Sequence, residues 1–171
     1  MVVSTHKAVA TLVATALAGS AAVAVTASGR EGNGSRGGHN GVTVLETSLA
    51  PSVPGDPMLN GVNPGGAPWV LRQGEVRLRH DGRLRVRIRG LVIPTAPSNG
   101  TPGPVVTVNA SLHCGASTTA VGTTMSVPIS RRGNADLAGR MTLPGKCLAP
   151  TVLIHPNGMG SVYIAADGFG G

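Results

Sequence analysis

Aromatic side chains are almost absent from this sequence. The 171 residues contain one tryptophan, one tyrosine and one phenylalanine, so a folded core must be built from small aliphatic side chains. The shortage also disfavours nucleic-acid binding, because proteins hold single strands largely by stacking bases on aromatic side chains. We therefore expect no nucleic acid as a partner.

Recognisable catalytic motifs are absent as well. The sequence has no Gly-x-Ser-x-Gly, no His-Glu-x-x-His and no phosphate-binding loop, and an enzyme of a common class would carry a clustered set of such groups. The carboxylates outside the first 29 residues are scattered, and they are Glu31, Glu46, Asp56, Glu75, Asp81, Asp136 and Asp167. The residues therefore predict no catalytic residues, no cofactor and a non-enzymatic protein, with a secreted enzyme as the alternative.

Cysteine is limited to Cys114 and Cys147. The two have no Cys-x-x-Cys spacing and no second close ligand, which disfavours a metal pair or a catalytic thiol. In an oxidising compartment a disulfide between them is the default. Because a core of small aliphatic residues is thin for a chain of this length, that disulfide is expected to matter for stability.

The N-terminus has the pattern of a secretory signal peptide. Lys7 precedes an Ala/Val-rich run, and small residues at Ala24 and Ala27 suit signal peptidase. We assign residues 1–27 to the signal peptide, with an uncleaved membrane anchor as the alternative. Residues 28–41, "SGREGNGSRGGHNG", have nothing apolar to bury and are predicted to be a flexible tether. The protein is thus expected to be secreted, extracellular or associated with the cell wall, with no membrane span after cleavage.

Residues 42–171 read as one β domain. No helical stripe follows the tether, and short runs with a period of two recur between Gly- and Pro-rich turns. Such a pattern predicts an antiparallel β-sandwich or barrel of about seven to eight short strands. Residues 121–129 and 135–143 are expected to form a hairpin, with Val127 facing Leu137.

A second hairpin is predicted in "EVRLRHDGRLRVRIRG", where aliphatic residues alternate with arginines. A two-residue Asp81-Gly82 turn would bury an arginine, because it shifts the pairing by one residue. A three-residue loop with Gly82 in the left-handed conformation instead pairs Leu78 with Leu84. The aliphatic side chains then meet on one face and the arginines on the other.

This register places like charges opposite one another. Arg77 faces Arg85, Arg79 faces Arg83, and Glu75 faces Arg87, which gives an arginine face of Arg77, Arg79, Arg83, Arg85 and Arg87. The chain without residues 1–27 has a formal charge of about +6, since Lys7 leaves a chain of +7. Guanidinium groups match phosphate, sulfate and carboxylate. The expected partner is an anionic cell-envelope polymer or an acidic protein; the alternative is a solvated face that blunts edge pairing.

Two further hypotheses concern other segments. His113 and His155 are weak candidates for a copper or zinc site, because the predicted disulfide ties their segments together. The loop "TAPSNGTPG", residues 95–103, suits a secreted inhibitor by its length and proline content.

Residues 68–169 resemble small secreted actinobacterial proteins with no characterised activity. The stretches that carry the likeness are "PWVLRQGEVRLRHDGRLRVRIRGLVIP", "VTVNASLHCG", "LPGKCLAPTVLIHP" and "VYIAADGF". The resemblance implies export and a domain held by Cys114 and Cys147. It implies no catalytic residue.

Overall fold

A computed structural model describes residues 41–168. The signal peptide expected at residues 1–27 and residues 28–40 of the expected tether lie outside the described residues. Within them no helix is long and apolar enough to cross a membrane.

The described residues form strands joined by turns and loops, which confirms the all-β prediction. The strands are Thr43–Pro51 (β1), Asn63–Pro64 (β2), Gln73–Arg79 (β3), Arg83–Arg89 (β4), Thr107–Cys114 (β5), Gly122–Thr123 (β6), Val127–Pro128 (β7), Ala135–Arg140 (β8), Pro150–Pro156 (β9), Val162–Tyr163 (β10) and Ala165–Asp167 (β11).

The strands form one nearly closed, barrel-like sheet. Its order is β6-β5-β9-β11-β1-β3-β4-β8, with β7 also pairing with β5, and every pair in it is antiparallel. Strand β1 pairs with two strands: its first residues pair with β3 and its last residues with β11. The short β2–β10 pair is parallel and separate.

The two ends of the sheet approach each other at glycines. A Cβ added to Gly139 of β8 would lie 3.0 Å from Thr124 Cγ2, and one added to Gly122 of β6 would lie 2.7 Å from Met141 Sδ. Side chains of one end thus pack directly against glycines of the other, and a larger residue at either glycine would require Thr124 or Met141 to shift.

Alternating side chains build the core. Val76 and Leu78 of β3, and Leu84, Val86 and Ile88 of β4, are all buried, while the residues between them face outward. These aliphatic side chains join Trp69 and the inward residues of β5, β8 and β9 in one hydrophobic cluster. Burial of such side chains is the main favourable term in folding.

The hairpin predicted for residues 121–129 and 135–143 is wrong. β8 pairs with β4, so that Leu137 lies opposite Val86, whereas Val127 of β7 lies opposite Val108 of β5. The turn at Arg131–Asn134 exists but leads the chain from one end of the sheet to the other. The inward faces of β4 and β7 are both aliphatic, so the local pattern did not distinguish between these partners for β8.

A second, smaller cluster covers the outside of β5 and β9. Leu59 and Val62, from the segment before β3, pack with Leu153, Tyr163 and Ala166. Both faces of β5 and β9 are therefore buried, which a period-two pattern on its own does not reveal.

The disulfide between Cys114 and Cys147 is present, with Cα atoms 5.1 Å apart. It joins the end of β5 to the segment before β9, and closes a loop of 33 residues. On the loop-closure estimate such a link stabilises the fold by about 3–4 kcal/mol.

Candidate functional site

The β3–β4 hairpin has the predicted register. Leu78 lies opposite Leu84 and Arg77 opposite Arg85. Gly82 has a φ of 80° and its amide donates to the Arg79 carbonyl at 2.9 Å, so the loop is His80-Asp81-Gly82. The apolar pattern rejects a register shifted by one residue, because that shift would bury a charged side chain, and the loop length fixed by Gly82 selects the register that is observed.

From Glu75 to the turn, cross-strand pairing divides the outward residues of β1, β3, β4 and β8 into three rows. A further pair beyond them, Gln73 with Arg89, carries +1, and Arg89 is ion-paired with Asp136 at 2.9 Å. The far row is Ser48, Glu75, Arg87 and Asp136; the middle row is Glu46, Arg77, Arg85 and Ala138; the turn row is Thr43, Arg79, Arg83 and Arg140. Counted by formal charge, the far row carries −1, the middle row +1 and the turn row +3. Positive charge therefore increases toward the turn.

Carboxylates from the flanking strands pair with part of the arginine face. Glu46 of β1 forms an ion pair with Arg77 and raises the pKa of that guanidinium by hydrogen bonding. Arg87 lies 3.9 Å from a carboxylate oxygen of Glu75 and 3.9 Å from one of Asp136. The sequence analysis found the Glu75 pair and missed the other two. Adjacency of β1 and β8 to the hairpin supplies them, and no local pattern showed it.

Two arginines of the face are left without such a partner. Among the described residues, no carboxylate oxygen lies within 4.0 Å of the guanidinium of Arg79 or Arg85. Arg85 lies between Arg77 and the uncharged Ala138. Arg85 is exposed and Arg79 is half-buried, so Arg85 is the more available of the two to an outside anion.

Asp81 in the turn organises the other two arginines of the turn row. Its side chain is only 4% exposed, and its oxygen Oδ2 lies 3.3 Å from Arg83 and 3.9 Å from Arg140. The Asp81 carbonyl also accepts a hydrogen bond from Arg140 Nε at 3.3 Å. One buried carboxylate thus orients two exposed guanidinium groups, and two positive charges share one negative one.

An open groove of about 770 Å³ runs over the middle and far rows. Its charged lining consists of Arg77, Arg85 and Arg87 with Glu46, Glu75 and Asp136. The groove balances the two signs, so the excess positive charge lies at its turn end rather than within it.

His113 and His155 converge, as the hypothesis of a two-histidine site required. Ser111, two residues before His113 on the same face of β5, has its Oγ 3.0 Å from His113 Nε2 and 2.6 Å from His155 Nε2. Each Nδ1 faces a carbonyl oxygen, that of Ser117 at 3.2 Å and that of Val162 at 2.7 Å. The sequence placed Ser111 beside His113 by period two but gave no reason to select it.

This histidine pair is deeply buried. Ser111, His113 and His155 are 2%, 3% and 1% exposed, so the Ser111 hydroxyl is not presented to solvent as a nucleophile. Burial lowers the pKa of His155. Asn109 lies on the same face of β5, directly opposite His155, and its buried Oδ1 has no hydrogen-bond partner.

The segment proposed as an inhibitor loop is hydrogen-bonded to itself and to its base. Asn99 N donates to Thr95 O, and Gly100 N donates to Ile93 O, each at 2.9 Å. The loop therefore forms a closed turn next to the Ile93–Thr101 bridge.

The fold and the two sites define the chain as a disulfide-linked, barrel-like antiparallel β domain with a graded arginine face and a buried histidine pair. Comparison with protein-family models, characterised proteins and solved structures finds no match. The functional proposals therefore rest on the sequence and on the geometry of the two sites.

Proposed function

We propose that the chain is an exported, non-enzymatic β domain that binds an anionic cell-envelope polymer through the turn end of its arginine face. The observation that carries the proposal is the excess of positive charge at the turn end of the hairpin, which is +3 in the turn row and +2 when the Asp81 carboxylate is counted. Arg85 adds a guanidinium without a carboxylate partner from the adjacent row.

The chemistry of the turn row suits a polymer with repeated phosphate or carboxylate groups. Successive rows are two residues apart along the strands, which is about 7 Å. Arginines at that spacing contact neighbouring anionic groups of a flexible chain, and each guanidinium offers a planar pair of donors. The ion pairs of Asp81 with Arg83 and Arg140 already restrict the side chains of these two arginines. Binding of an anion would therefore cost less side-chain entropy.

Like-charge contacts give a reason why a bound anion would be favourable. Arg77 and Arg85 face each other, as do Arg83 and Arg140. Opposed like charges on a sheet destabilise it by a few tenths to about 1 kcal/mol per pair. An anion between them removes this cost as well as forming its own contacts.

Export is the second part of the proposal. It is supported by the signal-like N-terminal sequence and by the Cys114–Cys147 disulfide, since such bonds persist mainly in oxidising compartments. Action at the cell surface or in the medium follows from the same two features.

The test is retention of the chain beginning at residue 28 on purified cell walls, with and without their anionic polymers, across a salt series. The test variant is Arg79→Glu with Arg85→Glu. The matched control is Arg131→Glu with Arg132→Glu, which changes the net charge equally at the exposed β7–β8 turn. We expect polymer-dependent retention that falls steeply with salt, as polyanion binding by counterion release does, and that is lost in the test variant only.

Equal loss in both variants would show that net charge alone holds the chain, and would refute a defined site. Retention that persists on walls stripped of their polymers would instead indicate an acidic protein partner. No retention at low salt would mean that the arginine face is only solvated surface.

A further inference from the structure

The buried histidine pair is the one place where the described residues gather uncharged nitrogen and oxygen donors away from water. Both imidazole Nδ1 atoms face backbone carbonyls. Because a carbonyl oxygen only accepts, each Nδ1 must carry the hydrogen. In the neutral rings the Nε2 atoms therefore have free lone pairs, and both are directed at the Ser111 hydroxyl.

A count of hydrogens shows that this arrangement is incomplete. The Ser111 hydroxyl has one hydrogen, which satisfies either His113 Nε2 or His155 Nε2 but not both. The buried Oδ1 of Asn109 on the same face also lacks a donor. The group thus has more lone pairs than hydrogens, and an unsatisfied buried acceptor costs about 1–3 kcal/mol.

We propose that His113 and His155, with Ser111 and Asn109 beside them, form a buried binding site for a zinc or copper dication. The imidazole nitrogens Nε2 are the two principal ligands, and oxygen atoms of the serine and asparagine side chains complete the donor set. No protein of known function supplies this assignment; it follows from the convergence of two anchored imidazoles.

The surroundings of the two rings are those of metal ligands. A histidine that binds a metal almost always donates its other ring N–H to a carbonyl or carboxylate, which fixes the orientation of the ring. Here Ser117 O and Val162 O accept those hydrogen bonds. Imidazole suits zinc and copper rather than calcium or magnesium.

The donor set is also distinct from a common structural zinc site. Among residues 41–168 no three histidine, cysteine or carboxylate side chains cluster, so the donors beside the two imidazoles would be uncharged oxygens of the protein or of water. On binding, two nitrogen–metal bonds form, and the metal releases water to solvent. The hydrogen bond from the Ser111 hydroxyl to a ring nitrogen is replaced by the nitrogen–metal bonds. No oxidant or reductant is needed.

The segment that covers β5 and β9 is hydrogen-bonded to the backbone beside the histidine pair. The Asn60 side chain donates to Gly115 O and Ser117 O at 2.8 Å each, and Ser117 O is the same carbonyl that holds His113. A bound metal would therefore stabilise the covering segment together with the barrel, and ligand binding to the folded state raises the melting temperature.

The experiment uses the full chain made without a histidine tag and stripped by a chelator. It is dialysed separately against zinc and copper at low micromolar concentration, and metal per chain is measured by mass spectrometry. Test variants are His113→Gln and His155→Gln. The matched control is His39→Gln with His80→Gln, which removes the two other histidines beyond residue 27.

We expect one equivalent of zinc or copper per chain, a higher melting temperature with metal, and both properties in the control. Each test variant should bind the metal at least 10-fold more weakly. If a test variant does not fold, nitrogen NMR of the wild-type imidazoles replaces it, with metal-induced shifts expected at two ring nitrogens. Absence of bound metal, equal binding by the test variants, or loss of binding in the control would overturn the proposal.

Discussion

Arg77 and Arg85 lie directly opposite each other on β3 and β4, yet only Arg77 has a carboxylate partner, Glu46 of the neighbouring β1. The hairpin therefore carries one compensated and one uncompensated guanidinium in the same row. This asymmetry separates the stability of the sheet from its proposed binding activity.

Arg85→Glu is expected to stabilise the fold while weakening polymer retention. The new carboxylate would face Arg77 and replace a repulsive pair by an attractive one, a gain of a few tenths to about 1 kcal/mol. Urea unfolding at low salt measures the gain, which should shrink at high salt because the pair is exposed. If the variant is less stable than the wild type at low salt, the repulsion between Arg77 and Arg85 does not measurably lower the free energy of unfolding.

Gly82→Ala is expected to destabilise the domain strongly. Gly82 has a φ of 80°, and an added Cβ would overlap the Met141 carbonyl oxygen, an atom of the backbone. We expect a loss of about 3 kcal/mol or more, measured by thermal or urea unfolding. Gly100→Ala is the matched control, because Gly100 has a φ of 84° and open space around it. That control should cost only about 1 kcal/mol, and equal losses would contradict a steric role for Met141.

Removal of the disulfide by Cys114→Ala with Cys147→Ala should lower the free energy of unfolding by about 3–4 kcal/mol. The expected size follows from the 33-residue loop that the bond closes. Comparison of the variant with the reduced wild type separates loss of the covalent link from the effect of the alanine side chains. A loss well below 1 kcal/mol would show that the loop is already restrained by β9 and β5 in the unfolded ensemble.

Asp167→Asn tests a carboxylate that is unusual among residues 41–168, because its pKa is raised, chiefly by burial. Because the folded pKa lies above its usual 3.8, ionisation costs stability as the pH rises through the folded value. The asparagine oxygen can still accept from Val152 N, which donates to Asp167 Oδ1 at 2.7 Å. We therefore expect the variant to be as stable as the wild type or more so at neutral pH, with the difference shrinking in acid.

A pH series of urea unfolding, from neutral to about pH 4, checks this result. Lower stability of the variant at neutral pH would mean that the charged hydrogen bond to Val152 outweighs the cost of burying Asp167.

Of the two local hairpins predicted from the sequence, the structure contains one, β3 with β4, and pairs the strands of the other with distant partners. Strict alternation over β3 and β4, together with Gly82, was enough to fix their register. The partner of β8 was missed, because Leu137 fits equally well opposite an aliphatic residue of β4 or of β7. Period two describes which face a residue occupies, but it carries no information about the strand on the other side.

In the candidate sites too, the features that depend on local alternation or on the disulfide were predicted, and the others, which depend on distant segments, were not. The five arginines on one face followed from alternation, but their partition into paired and unpaired groups depends on Glu46 and Asp136, which come from strands distant in sequence. The convergence of His113 with His155 was foreseen through the disulfide. Burial of that pair was not, because it depends on the covering segment around Leu59 and Val62.

Strand β1 pairs with one strand that is near in the sequence, β3, and with one that is far away, β11. The sheet is therefore complete only when both partners are present. The hairpin-side neighbours of β1 follow within a few dozen residues, whereas Ser48 also bonds to Gly168, 120 residues later. A ribosome releases these partners at widely separated times, and contacts of such long range slow folding. The β1–β11 pairing can therefore form only after the last strand has been synthesised, so the sheet stays incomplete until then. Under the export that we propose, this late completion would favour a chain that is still unfolded when it crosses a membrane.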